Sequence, residues 1–341
     1  MSPGLKAAIR GIASHLPTGV LTNEQLANEF GVWNGNQIFE KTGVAVRHLS
    51  AQNECASDLG VDAAKKLFAG GACAPEDIDF LILVTQTPDY FMPTSACLLQ
   101  DRLGLKTSCG AIDVNQGCSG YIYGLALAKS LVETSVARKI LLITSDTYTK
   151  LINPKDRSTR TLFGDGAAAT LVSPTESDHD LIGPFVLGSD GKGANNLIVP
   201  AGGFRRPITP ETSIEHEDGG NIRSDENIFM NGAEVLAFTM RTIPAVVDQL
   251  LEKSGLTLDQ IDLVIPHQAN KFLLERLRAK LKLPVEKYWI DMKESGNTVS
   301  ATIPIAIESA LGQGRLKAGS RALLAGFGVG YSWGATIVEF P

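Results

Sequence analysis

Three residues in this chain sit in settings that suit chemistry better than packing. Cys118 lies in NQGCSGYIYGL, between Gly117 and Ser119, where a short strand (Ala111 to Val114) gives way to an almost wholly apolar helix. Unpaired N–H groups at a helix start carry partial positive charge, so a thiolate there is stabilised and becomes a nucleophile near neutral pH. Small neighbours let a substrate approach. A nucleophilic cysteine usually works with a histidine. His267 fits, because it ends the apolar strand in DLVIPHQAN and strand ends are where sites assemble in α/β folds. Asn297, in KESGNTVSATIP, opens a second apolar helix as Cys118 opens the first. Alone it reads as a helix N-cap. The glycine-rich AGFGVGYSWG (Ala325 to Gly334) exposes backbone N–H donors of the kind that build an oxyanion hole. It is not a dinucleotide loop, because only seven residues follow it. The chemistry these types suggest is covalent catalysis by a thiol. Cys55, Cys73, Cys97 and Cys109 read as small hydrophobes, and His15, His48, His179 and His216 as surface or structural groups.

The elements that must position these residues come in duplicate. PEDIDFLILVTQ (Pro75 to Gln86) reappears as LDQIDLVIPHQ (Leu258 to Gln268), RKILLITSD as SRALLAGFG, and AKSLVET as AIESALGQG. Ile78 pairs with Ile261, Leu141 with Leu323 and Leu131 with Leu311, at offsets of 183, 182 and 180. Nearly constant offsets in the same order point to two duplicated halves. Each half reads helix, strand, small-residue turn, buried helix, strand, which predicts mostly parallel sheets. The helices Gly120 to Glu133 and about Thr298 to Leu311 are apolar on most faces, so they belong between two sheets. The halves are 1–175 and 176–341, divided near the polar Ser173 to Ile182. A cap-like loop, about 191–226, offers Ile198, Val199, Phe204 and Ile208 for packing. Pseudosymmetry then places Cys118 and Asn297 at matching helix ends facing one cavity.

Composition removes other classes. The chain has 341 residues, 44% apolar and 6% aromatic, with net charge −6 and no long basic run, so nucleic acid is not an expected partner. No apolar run reaches membrane-spanning length, and no cleavable leader is apparent at the N-terminus. Five scattered cysteines without a CxxC pair predict neither a metal site nor a disulfide framework, and so a reduced, cytoplasmic protein.

NQGCSGYIYGL, IPHQAN, SGNTVSATIP, FGDGAAA (Phe163 to Ala169) and GFGVGYSWGA together resemble the beta-ketoacyl-[acyl-carrier-protein] synthase III family, over nearly the whole chain. The resemblance implies the thiolase fold: two duplicated halves, a five-layer α-β-α-β-α arrangement with buried central helices, and a homodimer. It implies that Cys118, His267 and Asn297 are the catalytic set, with the N–H groups of Cys118 and Val329 as the oxyanion hole. Asn270 and Phe327 would support them. No cofactor is implied, only acyl-CoA or acyl-carrier-protein thioesters as substrates and acyl carrier protein as partner. The implied reaction is a decarboxylative Claisen condensation between a Cys118-bound acyl group and a malonyl thioester, in fatty-acid initiation or a specialised acyl or polyketide pathway. An acyltransferase or a non-decarboxylating condensing enzyme of the same fold is the alternative.

The chain departs from the family at its donor end. Val329 stands where a glycine is usual, Gln37 where a tryptophan is, and Lys41 and Phe272 where arginines are. Arg157 matches, and Lys41 and Lys271 remain as candidate donor contacts. An adenine would lose its stacking face at Gln37 and its phosphates two forked guanidiniums. These losses predict that free acetyl-CoA is not the preferred donor and that a carrier-bound or longer acyl group is. The basic Lys271, Arg276, Arg278, Lys280 and Lys282 would dock the acidic carrier.

Overall fold

The computed structural model describes residues 4–341, so the first three positions of the expected N-terminal half lie outside the described residues. Two sheets form its frame. The first contains β1 (Gly4–His15), β2 (Phe80–Val84), β3 (Gly110–Val114), β4 (Ile140–Asp146) and β5 (Gly166–Ser177), ordered β1-β5-β4-β2-β3. The second contains β6 (Ile182–Ser189), β7 (Leu263–Pro266), β8 (Arg321–Gly328) and β9 (Ser332–Glu339), ordered β7-β8-β9-β6. Four helices matter for the site: α1 (Gly35–Thr42), α2 (Gly120–Glu133), α3 (Lys271–Lys280) and α4 (Thr302–Gly312).

Alternation along the strands explains the layering, since successive side chains point to opposite faces. Ile82 and Val84 of β2 face inward and pack with Tyr121, Ile122 and Leu125 of α2, with Ile303 and Ile307 of α4, and with Ile265 and Leu324 of the second sheet. Leu81 and Leu83 face outward onto Leu59 and Leu67 of the helix Ala56–Ala69 and Leu99 of Ser95–Arg102. On the far side, Val264 and Leu323 pack against Phe238 and Val246 of the helix Gly232–Ser254 and Leu274 of α3. Both faces of both sheets are covered, and α2 and α4 lie between them. This is the expected five-layer thiolase fold.

The duplication persists in detail. Short 3-10 turns, Pro75–Asp77 and Leu258–Gln260, precede β2 and β7. The next aspartate does the same work in each half: Asp79 accepts from the Arg138 and Lys139 N–H groups (both 3.0 Å), and Asp262 from the Arg321 N–H (2.8 Å).

Two expectations need correction. The sheets are mixed: β2–β3, β2–β4 and β7–β8 are parallel, but β4–β5, β1–β5, β8–β9 and β9–β6 are antiparallel. The reason at β8–β9 is chain length, since three residues leave room for a hairpin but not a crossover. The cap segment also packs less than expected. Leu197 is buried, but Phe204 is 89% exposed and Ile208 is exposed too.

Candidate active site

β3 ends at Val114, and the chain turns through Gly117 and Cys118 before α2 starts at Gly120. Two glycines leave the turn close room, Gly328 against the nucleophile itself and Gly117 against neighbouring side chains. A Cβ on Gly117 would strike Gln86 Oε1 and lie 2.7 Å from Val329 Cγ1; one on Gly328 would lie 2.7 Å from both Cβ and Sγ of Cys118. Cys118 is only 5% exposed.

That depth works against the expected standing thiolate. Burial pushes the Cys118 thiol up to about 12, and Asp146 pushes the same way. The N–H groups of Val329 and of Cys118 itself face the sulfur and pull its pKa down, without winning. The helix-mouth charge is present, but the lid at Gly328 removes the water a thiolate needs.

β7 delivers His267, whose N–H donates to Ala325 O across the sheet end (2.7 Å). Its ring stands edge-on to Phe327, with centroids 5.8 Å apart. Burial lowers its pKa to about 3, so the imidazole is neutral. Nδ1 lies 2.7 Å from Thr302 Oγ1, at the first residue of α4; that hydroxyl is also 3.0 Å from Val299 O.

Asn297 is held from both sides. Its N–H donates to Leu162 O (2.9 Å) and its carbonyl accepts from Gly164 N–H (3.1 Å), so FGDG of the first half clamps the SGNT turn of the second. Its Oδ1 accepts from Val299 N–H (2.9 Å), which leaves Nδ2 for other work apart from a long 3.5 Å contact with Ala269 O. The helix expected from Thr298 opens as a 3-10 turn, Val299–Ala301, before α4. Asp165 of FGDG is a tie, accepting from Ser50 and Thr149.

Cys118, His267, Asn297, Asn270, Phe327 and Gly328 line one chamber of about 120 Å³. The second-half and first-half residues therefore meet as pseudosymmetry predicts. Leu162, Asn270 and Phe272 also line a groove of about 410 Å³ that leads outward between α1, the turn Arg157–Arg160 and α3. Asn270 caps α3, accepting from Leu273 N–H (2.9 Å).

The groove contains Lys41 and Arg157 but not Lys271, whose ammonium lies over the Phe39 ring instead (5.9 Å). Gln37 is spent capping α1 through Asn34. The expected loss of an aromatic face is corrected, because Trp33, just before α1, lines the groove with Lys41 over its ring (5.4 Å). Nothing in the sequence pattern ties Trp33 to a groove built from three distant segments.

Sequence reasoning also missed the groups behind the nucleophile. Buried Asp146, at the end of β4, accepts from Gln86 N–H (2.8 Å), Ser300 N–H (3.2 Å) and Ser300 Oγ, fastening β4 to the start of the second central helix. Burial raises its carboxyl to about 7. Tyr148 packs in the Cys118 cluster with Phe163 (ring centroids 5.5 Å) and donates its hydroxyl to Gln86 Oε1.

Comparison with known proteins agrees with this geometry. Residues 112–191 match the family described as 3-oxoacyl-[acyl-carrier-protein (ACP)] synthase III, and residues 251–340 its C-terminal part. The chain is 38% identical over 343 residues to a beta-ketoacyl-[acyl-carrier-protein] synthase III of Caldanaerobacter subterraneus subsp. tengcongensis, covering 100% of this chain and 99% of the relative. A crystal structure of a 3-oxoacyl-(acyl-carrier-protein) synthase III superposes with TM-score 0.98 at 52% identity, covering 98% of this chain and 100% of that one. The priming beta-ketosynthase of the R1128 polyketide pathway superposes with TM-score 0.86 at 26% identity, over 100% of this chain and 98% of that one.

Proposed function

Because the chain belongs to the beta-ketoacyl-[acyl-carrier-protein] synthase III family, we propose that its chamber joins a Cys118-bound acyl group to a malonyl thioester carried by acyl carrier protein, giving a 3-oxoacyl product that starts a fatty acid. The observation that carries this reading is the convergence of Cys118, His267 and Asn297 on one buried chamber with an outward groove.

The sulfur attacks the thioester carbonyl of the acyl donor, and its proton leaves on the departing thiol. The Cys118 and Val329 N–H groups, which already face the sulfur, hold the oxyanion. Val329 keeps the donor that its usual glycine would supply, and its side chain packs against Gly117. The malonyl group then loses carbon dioxide, and charge develops on its thioester oxygen. A neutral imidazole and a carboxamide can both donate to that oxygen, whereas a carboxylate would repel it. Thr302 Oγ1, 2.7 Å from Nδ1, occupies that ring nitrogen, so Nε2 is the one left to serve the oxygen, and it carries the proton when the hydroxyl donates to Nδ1 rather than to Val299 O. The enolate carbon attacks the acyl-cysteine, and the sulfur leaves and is reprotonated. The Cys-His-Asn set and the catalytic roles of Asn270, as the brace of the α3 loop, and Phe327, as the wall of the imidazole, belong to this proposal.

The carrier docks on α3. Lys271, Arg276, Lys280 and Lys282 are exposed there, while Arg278 is engaged with Glu275 (2.9 Å). With Trp33 in place, the case against a coenzyme A donor rests on Lys41 and Phe272 alone. The test is to mix the protein with acyl thioesters and malonyl-acyl carrier protein. A mass adduct on Cys118 and a 3-oxoacyl product are expected, with the carrier-dependent rate falling several-fold from low to high salt. Adducts without condensation would move the assignment to an acyltransferase.

A second copy of the chain covers the exposed Tyr90, Phe91 and Met92, which Phe204 joins at 5.6 Å from Phe91. A solution mass of two chains is expected, and a single-chain mass would exclude the homodimer. All five cysteines are free, which suits the reduced cytoplasm.

A further inference from the structure

The cap segment packs little, yet one part of it is tied to the donor groove. A hairpin pairs His216–Asp218 with Asn221–Arg223 across the two-residue turn Gly219–Gly220. Both glycines have positive φ (59° and 83°), as a tight two-residue hairpin turn needs. These strands join neither large sheet. They lie against residues 153–158 instead. Asn221 Oδ1 accepts from Ser158 N–H (3.1 Å), which Asp156 Oδ1 shares (2.9 Å), and Ile222 N–H reaches Lys155 O (3.5 Å). Just before the hairpin, Glu215 accepts from Asn153 Nδ2 (2.9 Å) and pairs with Lys155 (2.6 Å). Arg157 stands amid these contacts. A Cβ on Gly220 would lie 3.1 Å from its Nη1, and its guanidinium is 6.0 Å from the Phe30 ring. The neighbouring cations are committed, Lys155 to Glu215 and Arg160 to Glu29. Arg157 has no carboxylate partner among the described residues, and it lines the groove with Trp33 and Lys41.

We propose that this hairpin is a positioning arm: it holds Arg157 at the wall of the donor groove and thereby favours thioesters whose handle carries phosphate. The reason is preorganisation. An arginine has many rotamers, and a guanidinium with no fixed partner spreads over them. The turn at Gly220 and the Phe30 ring exclude part of that range, and Asn221 steadies the main chain next to Arg157. Ordering is then complete before a donor arrives, and the contact between guanidinium and phosphate keeps its full strength. A handle without phosphate gains nothing from the arm. Gly220 is what lets the turn come so close, since a side chain there would crowd Nη1. The arm touches no reacting atom and acts only through Arg157.

This inference rests on the reading of Cys118 as the acylated nucleophile and of the groove as its donor path. The experiment compares acetyl thioesters of N-acetylcysteamine, phosphopantetheine and coenzyme A, with the rate of Cys118 adduct formation read by intact mass. Asn221→Ala is expected to leave the N-acetylcysteamine rate unchanged and to lower the coenzyme A rate about three- to tenfold, through a higher half-saturating concentration rather than a lower maximal rate. Loss with phosphopantetheine as well places Arg157 on the phosphate both handles share; loss with coenzyme A alone places it on the adenylate phosphates. Arg157→Ala should lower the ratio of coenzyme A to N-acetylcysteamine rates at least as far, and adding Asn221→Ala to it should change that ratio by less than about twofold. The ratio is internal to each variant, so a general loss of rate or stability does not disturb it. An unchanged ratio in Asn221→Ala beside a lowered one in Arg157→Ala overturns the arm alone. So does an undiminished Asn221→Ala effect in the Arg157→Ala background. An unchanged ratio in Arg157→Ala overturns the arm together with the groove as donor path. Absence of any Cys118 adduct, with every donor and every form, overturns the reading beneath both.

Discussion

Replacing His267 by alanine is expected to lower malonyl decarboxylation about 100- to 1,000-fold while Cys118 acylation persists, because removing one such donor typically has that effect. Asn297→Ala should behave alike, with some loss of stability, since its Oδ1 also holds the Val299 N–H. Thr302→Val should follow in the same direction by about tenfold, with Thr302→Ser restoring most of the rate. Separating the half-reactions is the measurement: acylation by mass of Cys118, decarboxylation by release of labelled carbon dioxide. A neutral donor at pKa about 3 also predicts that decarboxylation shows no His267 titration between pH 5 and 8. If Asn297→Ala decarboxylates as fast as wild type, the enolate is stabilised elsewhere.

Alkylation of Cys118 in the free protein is expected to be slow at neutral pH and to rise about tenfold per unit from pH 7 to 10 without a plateau. The raised thiol pKa, about 12, sets the sign: the protonated form is favoured by burial, so reactivity grows as pH climbs toward it. At pH 7 an ordinary thiol of pKa about 8.5 holds roughly three and a half orders of magnitude more thiolate. Greater nucleophilicity of the more basic thiolate recovers about one and a half orders, leaving a deficit of roughly a hundredfold. Site-resolved iodoacetamide kinetics provide the check, with exposed Cys97 as the internal comparison. A plateau near pH 7 at Cys118 would restore the helix-mouth thiolate.

The three residues at the centre of the chamber were legible because each sits at the end of an element whose period is plain: Cys118 and Asn297 before apolar helices, His267 after an apolar strand. Repeated offsets supplied the geometry that local pattern lacks, placing two helix ends opposite each other. What could not be read depends on how deep or how distant a group becomes. Cys118 and an exposed thiol look alike until Gly328 is seen closing over the sulfur. Trp33 is one aromatic in a polar loop until α1 and α3 form the groove with it. Strand direction failed for a similar reason, since β5 and β9 return to their sheets antiparallel and hydrophobic alternation does not record direction. Gln86 and Tyr148 are 62 positions apart, and no spacing rule relates them.

The tight lid over Cys118 has a consequence for inhibition. An electrophile that reaches the sulfur does so beneath Gly328 and beside Gly117, where even a methyl group would occupy the nucleophile's own volume or the Gln86 amide's. Resistance by thickening those walls would therefore disable the target together with the drug. The permissive positions for escape are further out, at Trp33 and Lys41, where side chains border an open groove and can change without touching the sulfur. A compound whose contacts stay inside the chamber and ignore the groove would leave selection little to work with.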